Sequence, residues 1–225
     1  MNYYAIIVAG GSGNRMNHSV PKQFLLLQGR PVLMHTIEVF YNCRLKPEII
    51  VVIGLDYRHE WFDLCIEHNF TIPHTLANSG DQRFHSVKNG LSMITHEGIV
   101  AVHDAARPLV SPDVVLRSFE FAEAHGNCVA GITLVDSIRS IADNGSTKTL
   151  DRAGFRLVQT PQTFRVLELK AAYSANYSSE YTDDASVMEN YGVKINIIEG
   201  NRENIKITYP EDLEIASLLL KRMRP

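Results

Sequence analysis

Tyr4-Ala5-Ile6-Ile7-Val8-Ala9-Gly10-Gly11-Ser12-Gly13-Asn14-Arg15-Met16, with Pro21-Lys22-Gln23 close behind, is the stretch on which the fold turns. The apolar run from Tyr4 to Ala9 predicts a buried strand. It breaks into three glycines and a serine within four positions. Glycines there let the backbone turn tightly and bring its N–H groups up to an anion. Arg15 and Lys22 follow on the far side, a pair of cations suited to a polyphosphate. Pro21 holds the residue before it extended, which predicts Lys22 on a loop rather than inside a helix. Two familiar phosphate loops are ruled out. The dinucleotide fingerprint needs a third glycine where Met16 stands, and the Gly-Lys-Ser/Thr of a Walker A loop is absent. The stretch is a phosphate loop of another kind or an ordinary strand-to-helix turn.

Outward from that loop, strand and helix patterns alternate. Helical spacing runs from Pro31 to Phe40, and Glu48 to Gly54 is a β-branched strand. Tyr57 to His68 predicts a helix with Trp61, Phe62, Leu64 and Cys65 facing inward. A weaker strand near Ile72 to Ala77 precedes the turn Gly80-Asp81-Gln82-Arg83, which opens a helix through Ile94. Gly98 to Val102 is the next strand, ending in His103-Asp104-Ala105-Ala106-Arg107-Pro108. Ser111-Pro112 starts a helix to about His125, and Cys128 to Val135 is another strand. This order predicts an α/β, Rossmann-like three-layer sandwich with a mostly parallel sheet. Ligands bind such sheets at the carboxyl ends of the strands, where the glycine loop, Asp104 and Asp136 would converge.

The pattern changes over about residues 136–155. Alternation in Ser137 to Ala142, the turn signal Asp143-Asn144-Gly145-Ser146 and the run Thr147 to Arg152 predict a β-hairpin. It carries too little apolar surface to stand alone, so it is expected to protrude as an arm that packs on a second subunit. Val166 to Tyr177 is expected to be a helix, a further helix begins near Thr182-Asp183-Asp184, and Lys194 to Ile198 is a late strand. Thr208-Tyr209-Pro210-Glu211 has the form of a capping box opening the last helix. With no repeat or linker composition, residues 1–225 are expected to form a single domain carrying the arm.

Composition narrows the function. A net charge of −3 supplies no whole-protein attraction to nucleic acid or to an anionic membrane, so anion binding must be local. No Lys/Arg cluster interleaved with aromatics suggests nucleic-acid binding. No apolar run approaches the roughly 20 residues of a membrane span. Cys43, Cys65 and Cys128 lie far apart with no C-x-x-C pair, which predicts free thiols and, without a targeting segment, a cytoplasmic setting. A Gly-x-Ser-x-Gly elbow is missing because position 14 is Asn, and the nine histidines show no His-Glu-x-x-His spacing. Asp104, at a strand end, suits a divalent metal on nucleotide phosphates, a ribose hydroxyl, or simply the cap of the next turn. His103 is expected to be a satisfied structural histidine. Lys206 stands between a strand and a helix, so its case rests on location.

Seven motifs together carry a resemblance. They are the glycine loop with Pro-Lys-Gln, His-Asp-Ala-Ala-Arg-Pro (103–108), Asp-Ser-Ile (136–138), Asp-Arg (151–152), Gln-Thr-Pro-Gln-Thr-Phe (159–164), Thr-Asp-Asp-Ala-Ser (182–186) and Asn-Ile-Lys-Ile-Thr-Tyr-Pro-Glu-Asp-Leu (204–213). In that order, from residue 3 to about 220, the chain resembles the 2-C-methyl-D-erythritol 4-phosphate cytidylyltransferase family of sugar-phosphate nucleotidyltransferases. The resemblance implies cytidylyl transfer from CTP to methylerythritol phosphate, with pyrophosphate released, magnesium (or another divalent cation) required, and a homodimer built through the arm.

The resemblance also implies residue roles. Ala9, Gly10, Gly11, Ser12, Gly13, Gly80, Asp81 and Ser86 would hold the nucleotide. Arg15 and Lys22 would stabilise the transition state, and Asp104 would stand at the junction of nucleotide, metal and substrate. Arg107, Ser137, Arg152, Thr182 and Lys206 would hold the alcohol phosphate, with Arg152 reaching in from the partner's arm and both Arg152 and Lys206 counted, like Arg15 and Lys22, among the catalytic residues. Position 137 departs from the family pattern, being Ser where Thr is expected. Two rivals stay in view: a ribitol 5-phosphate cytidylyltransferase, expected to carry Asp-Ala-Val-Arg-Pro, and a nucleotide-binding regulator without catalysis. Ala106 and the Asp151-Arg152 and Thr-Asp-Asp-Ala-Ser runs disfavour the first; the presence of Arg15, Lys22, Asp104 and Lys206 disfavours the second.

Overall fold

The computed structural model describes residues 1–11 and 20–223; residues 12–19 of the glycine loop and 224–225 lie outside that description. β1 (Tyr3–Val8) is an interior strand of the central sheet. Its side chains alternate between two buried layers: Ala5 and Ile7 face one core cluster, Tyr4 and Ile6 the other. A strand covered on both faces has no use for polar alternation, which is why the sequence runs continuously apolar there.

Chain order then gives the one-turn 3-10 segment Lys22–Phe24, the short β2 (Leu26–Leu27) and β3 (Arg30–Pro31), α1 (Val32–Tyr41), β4 (Glu48–Ile53), α2 (Arg58–Glu67), β5 (Thr75–Asn78), α3 (Arg83–Ser92), β6 (Ile99–Asp104) and α4 (Pro112–His125). β7 (Asn127–Thr133) leads into the hairpin β8 (Ile138–Ile141) and β9 (Thr147–Leu150), then β10 (Arg156–Arg165), α5 (Val166–Ala172), α6 (Asp184–Asn190), β11 (Ile197–Glu199) and α7 (Pro210–Met223). Among the described residues seven strands form the central sheet, in the order β11-β7-β10-β6-β1-β4-β5. Every neighbouring pair is parallel except those of β10, which runs antiparallel to both β6 and β7. One face is covered by α1 and α4 through Leu33, Ile37, Phe40, Val115 and Phe119. The other is covered by α3, α5 and α6 through Phe84, Val87, Leu91, Leu169 and Met188. The α/β sandwich with a mostly parallel sheet is as expected.

Four local expectations need correction. β10 has no counterpart in the sequence reading, because Pro161 argues against a central strand. The structure absorbs that proline in a register irregularity between Val158 and Gln162, where no ladder hydrogen bond is asked of it. Phe62 does not face inward: it is 63% exposed, while Trp61 is buried. At about 100° per residue, burying Trp61 together with Leu64 and Cys65 turns position 62 to solvent. The expected helix Val166 to Tyr177 ends at Ala172.

The box at residues 208–211 does not form either. Asp212 accepts from the backbone N–H groups of Thr208 and Tyr209, both at 2.8 Å, and the Thr208 hydroxyl donates instead to the Lys206 carbonyl. A capping box occurs at α6, between Asp183 and Ser186. The hairpin β8–β9 pairs with itself as a separate two-stranded sheet. Among the described residues no helix is long and apolar enough to cross a membrane, and all three cysteines are free.

Candidate active site

A cleft of about 370 Å³ opens at the carboxyl ends of β1 and β6, where Val8 and Asp104 stand in register. The opening of the glycine loop forms one wall and the turn into α3 the other. Gly10 is required by their approach: a Cβ there would lie 2.5 Å from the Cβ of Ser79. Gly80 is equally constrained, with a Cβ falling 2.4 Å from that of His85. Its N–H donates to the Ser86 hydroxyl at 3.0 Å, which closes the turn. Gln23 pins the next segment, its buried amide donating to the Ala9 carbonyl at 2.8 Å. Lys22 thereby reaches the cleft rim from a 3-10 turn fastened to the glycine loop.

Asp104 is the electrostatic centre. Lys206 Nζ lies 2.8 Å from Oδ2, Arg83 Nε 3.4 Å from Oδ1, and Arg107 Nε 3.6 Å from Oδ2. Burial alone would raise the carboxyl pKa, but Arg83, Lys206 and Arg107 together outweigh it and hold Asp104 well below the usual carboxylate range. Arg83 is partly buried beside the cleft. Burial works against its charge, and Asp184 and Asp104 more than compensate, so its pKa rises. For Arg107 burial wins over Asp104 and lowers the pKa.

The backbone below this cluster is held by an uncharged relay. The Asp104 N–H donates to Thr160 Oγ1 at 3.1 Å, and His103 meets the same hydroxyl with Nδ1 at 3.0 Å. Since the Arg107 carbonyl can only accept from Nε2 (3.0 Å), Nδ1 carries no proton and accepts from Thr160. Burial, the largest influence, pushes His103 down to about 4, so it is neutral and structural as expected. Lys206 is fixed from the other side. Asn204 donates to the Thr160 carbonyl at 2.8 Å and its own carbonyl accepts from Arg107 Nη1 at 2.7 Å, while the Ile207 N–H donates to the Ala106 carbonyl at 2.8 Å.

Of the residues expected at the site, the cleft brings together Ala9, Gly10, Gly11, Lys22, Gly80, Asp81, Ser86, Asp104 and Lys206. Arg107 stands directly behind, on Asp104. Ser12, Gly13 and Arg15 lie outside the described residues. Ser137, Arg152 and Thr182 are exposed and do not line the cleft of the single chain. Arg152 folds back on its own arm, donating to the Val135 carbonyl. Gln23 and Arg83 also line the cleft, and the sequence alone assigns neither a role. Gln23 had a signal in its Pro-Lys-Gln context; Arg83 had none, because its partners are 21 and 101 positions away.

A divalent cation fits this donor set in one way. Among the described residues no three His, Cys, Asp or Glu side chains gather to hold a metal ion. Asp104 offers a single ionised carboxylate at the cleft wall, so such an ion would draw its remaining ligands from phosphates and water, as magnesium does.

Comparison with known proteins identifies the family. The family profile described as IspD, 2-C-methyl-D-erythritol 4-phosphate cytidylyltransferase, matches residues 3–222. A Bacteroides thetaiotaomicron protein of that name is 47% identical over 220 residues, covering 98% of this chain and 100% of its own. The crystal structure of a 4-diphosphocytidyl-2C-methyl-D-erythritol synthase from Anaerococcus prevotii superposes with a TM-score of 0.85 at 26% identity, covering 98% of this chain and 96% of that one. A Francisella tularensis structure of the same enzyme family gives a TM-score of 0.79 at 32% identity, with 97% and 99% covered. On a match that runs from β1 into α7, the chain belongs to the 2-C-methyl-D-erythritol 4-phosphate cytidylyltransferase family.

Proposed function

We propose that the chain transfers a cytidylyl group from CTP to 2-C-methyl-D-erythritol 4-phosphate, giving the CDP-alcohol and pyrophosphate in isoprenoid precursor synthesis. The observation that carries this reading is the Asp104 cluster: one carboxylate among three cations, set between a glycine loop and the Gly80 turn. A phosphate oxygen of the alcohol attacks the α-phosphorus in line. The bond to the β-phosphate oxygen breaks, and pyrophosphate leaves with the electron pair.

The nucleophile is already ionised, so positioning and cationic stabilisation supply the catalysis and no general base is needed. That chemistry suits a cleft in which Lys206, Arg83 and Arg107 surround Asp104 and Lys22 stands at the rim. In this reading Ala9 to Gly13, Gly80, Asp81 and Ser86 hold the nucleotide, and Arg15 and Lys22 meet the charge that develops in transfer. Asp104 would hold a magnesium ion, whose charge would offset that of the triphosphate. Lys206 and Arg107 receive the alcohol phosphate with Ser137 and Thr182.

The chain acts as one nucleotidyltransferase domain and pairs with a second copy through the arm of residues 136–155. Apolar surface supports that pairing: Val135, Ile141, Phe155, Leu157 and Val158 are exposed on the arm and its base. A partner would cover them and let its own Arg152 complete the cleft. Pyrophosphate release by the purified protein with CTP and magnesium tests the whole. Release with methylerythritol phosphate but not ribitol 5-phosphate is expected. Release with ribitol 5-phosphate alone would overturn the alcohol assignment.

A further inference from the structure

Arg83 is a cleft residue to which the proposed transfer assigns no role. It begins α3 directly after the Gly80-Asp81-Gln82 turn, so it grows out of the nucleotide wall. Its guanidinium reaches two other elements. Nε donates to Asp104 Oδ1 at the end of β6. Nη1 and Nη2 donate in parallel to Asp184 Oδ1 and Oδ2, at 2.9 and 2.7 Å, on the first turn of α6.

Asp184 is fully buried and also accepts the Tyr173 hydroxyl at 2.6 Å. Thr182, on the alcohol side, stands two positions before it. Asp183 between them caps α6 and accepts from Gln162 at 2.8 Å. The turn into α3, the end of β6 and the start of α6 therefore meet on one planar group. A forked guanidinium sets both the distance and the plane of its partner, whereas a lysine is a point charge that cannot reproduce the two parallel bonds to Asp184 together with the bond to Asp104.

We propose that Arg83 is a positioning residue of the transfer, a clamp that aims the Asp104 carboxylate and seats the Thr182 segment, so that the nucleotide and alcohol-phosphate halves of the cleft keep one spacing. The proposal rests on the cytidylyl-transfer reading. Weakening an ion pair that merely held α6 in place would lower stability and leave the folded enzyme's kinetics unchanged. A clamp acts on the approach of two reactants, where a misplacement of about 1 Å costs on the order of 10²-fold in rate.

The test compares wild type with Arg83→Lys, which keeps the charge and loses the fork. Three quantities are read: kcat and KM for methylerythritol phosphate, CTP binding by calorimetry without the alcohol, and thermal unfolding. The expected result for folded Arg83→Lys is a kcat lower by about ten- to a hundredfold and a raised alcohol KM. CTP affinity should stay within about threefold of wild type. Wild-type kcat and KM in folded Arg83→Lys would overturn the clamp, whatever the melting temperature.

Should Arg83→Lys fail to fold, Tyr173→Phe decides. It removes only the bond behind Asp184 and keeps the ring stacked on Phe84 at 4.6 Å. A rise in alcohol KM of about threefold supports the clamp, and an unchanged KM and kcat overturns it. Wild type that binds CTP but releases no pyrophosphate would instead sink the transfer reading, and the clamp with it.

Discussion

Asp104 and Ile141 sit on elements that differ in nearly every physical respect. Asp104 is 8% exposed on a central strand, with three cations on its carboxylate and its backbone N–H held by Thr160. Ile141 is 76% exposed on a hairpin that pairs only with itself. The charge cluster of the first region comes from one chain, its geometry over-determined by partners drawn from distant parts of the sequence. The second is a finished piece of secondary structure with nothing under it. Chemistry that needs fixed charges is therefore expected in the first, and assembly in the second.

The largest effect should follow from breaking the centre. Asp104→Asn leaves Arg83, Arg107 and Lys206 without their common anion. It is expected to cost about 3 kcal/mol of stability by urea unfolding and at least about 10²-fold in kcat. A variant as stable as wild type would show the cluster to be less dependent on its carboxylate than the geometry says. Lys22→Ala separates chemistry from folding. Turnover should fall by about 10²–10³-fold, or ~2.7–4 kcal/mol in the barrier, while the urea midpoint stays put. Near-normal turnover would remove Lys22 from the reaction.

His103 sharpens the contrast through pH. Its folded pKa is about 4 against an ordinary 6.5, so between those values the unfolded chain binds a proton that the folded chain refuses. Stability is whole above the ordinary histidine pKa, falls as pH drops through the window, and the loss reaches about 3 kcal/mol near pH 4. Denaturant titrations of wild type and His103→Gln across this range should differ in slope by about one proton. Equal slopes would mean that the relay does not hold His103 neutral.

The arm should respond least in stability. Ile141→Ser is expected to change the unfolding free energy by no more than about 0.5 kcal/mol while weakening the dimer in sedimentation. Arg152→Ala should mainly raise the KM for methylerythritol phosphate. Mixed with Lys22→Ala it should regain activity in hybrid dimers, because one cleft of each hybrid then carries neither change. No recovery in proven hybrids would place Arg152 at its own subunit's cleft.

How much was legible follows the range of each signal. The Tyr4–Ala9 run announces a doubly covered strand because burial on both faces acts residue by residue. The Asn144-Gly145 turn announces its hairpin for a similarly local reason, as Gly145 adopts φ +79°. β10 was illegible because Pro161 carries a local veto that only the neighbouring strands, by tolerating an irregularity, can lift. At residues 208–211 the local pattern promised a box. Asp212, one turn further on, offers two charge-assisted hydrogen bonds at once and prevails.

The sequence by itself determined the alternation of elements, the strand ends at which a site had to lie, and the kinds of side chain available there. Such choices depend on neighbours within a few positions. Only the tertiary structure decided that Asp104 would gather Arg83, Arg107 and Lys206, that Arg83 would spend its fork on Asp184, and that the arm would stand clear of its own cleft. Those contacts join residues up to 102 positions apart. A charge finds its partner through the packing of the sheet between them, which no local pattern encodes.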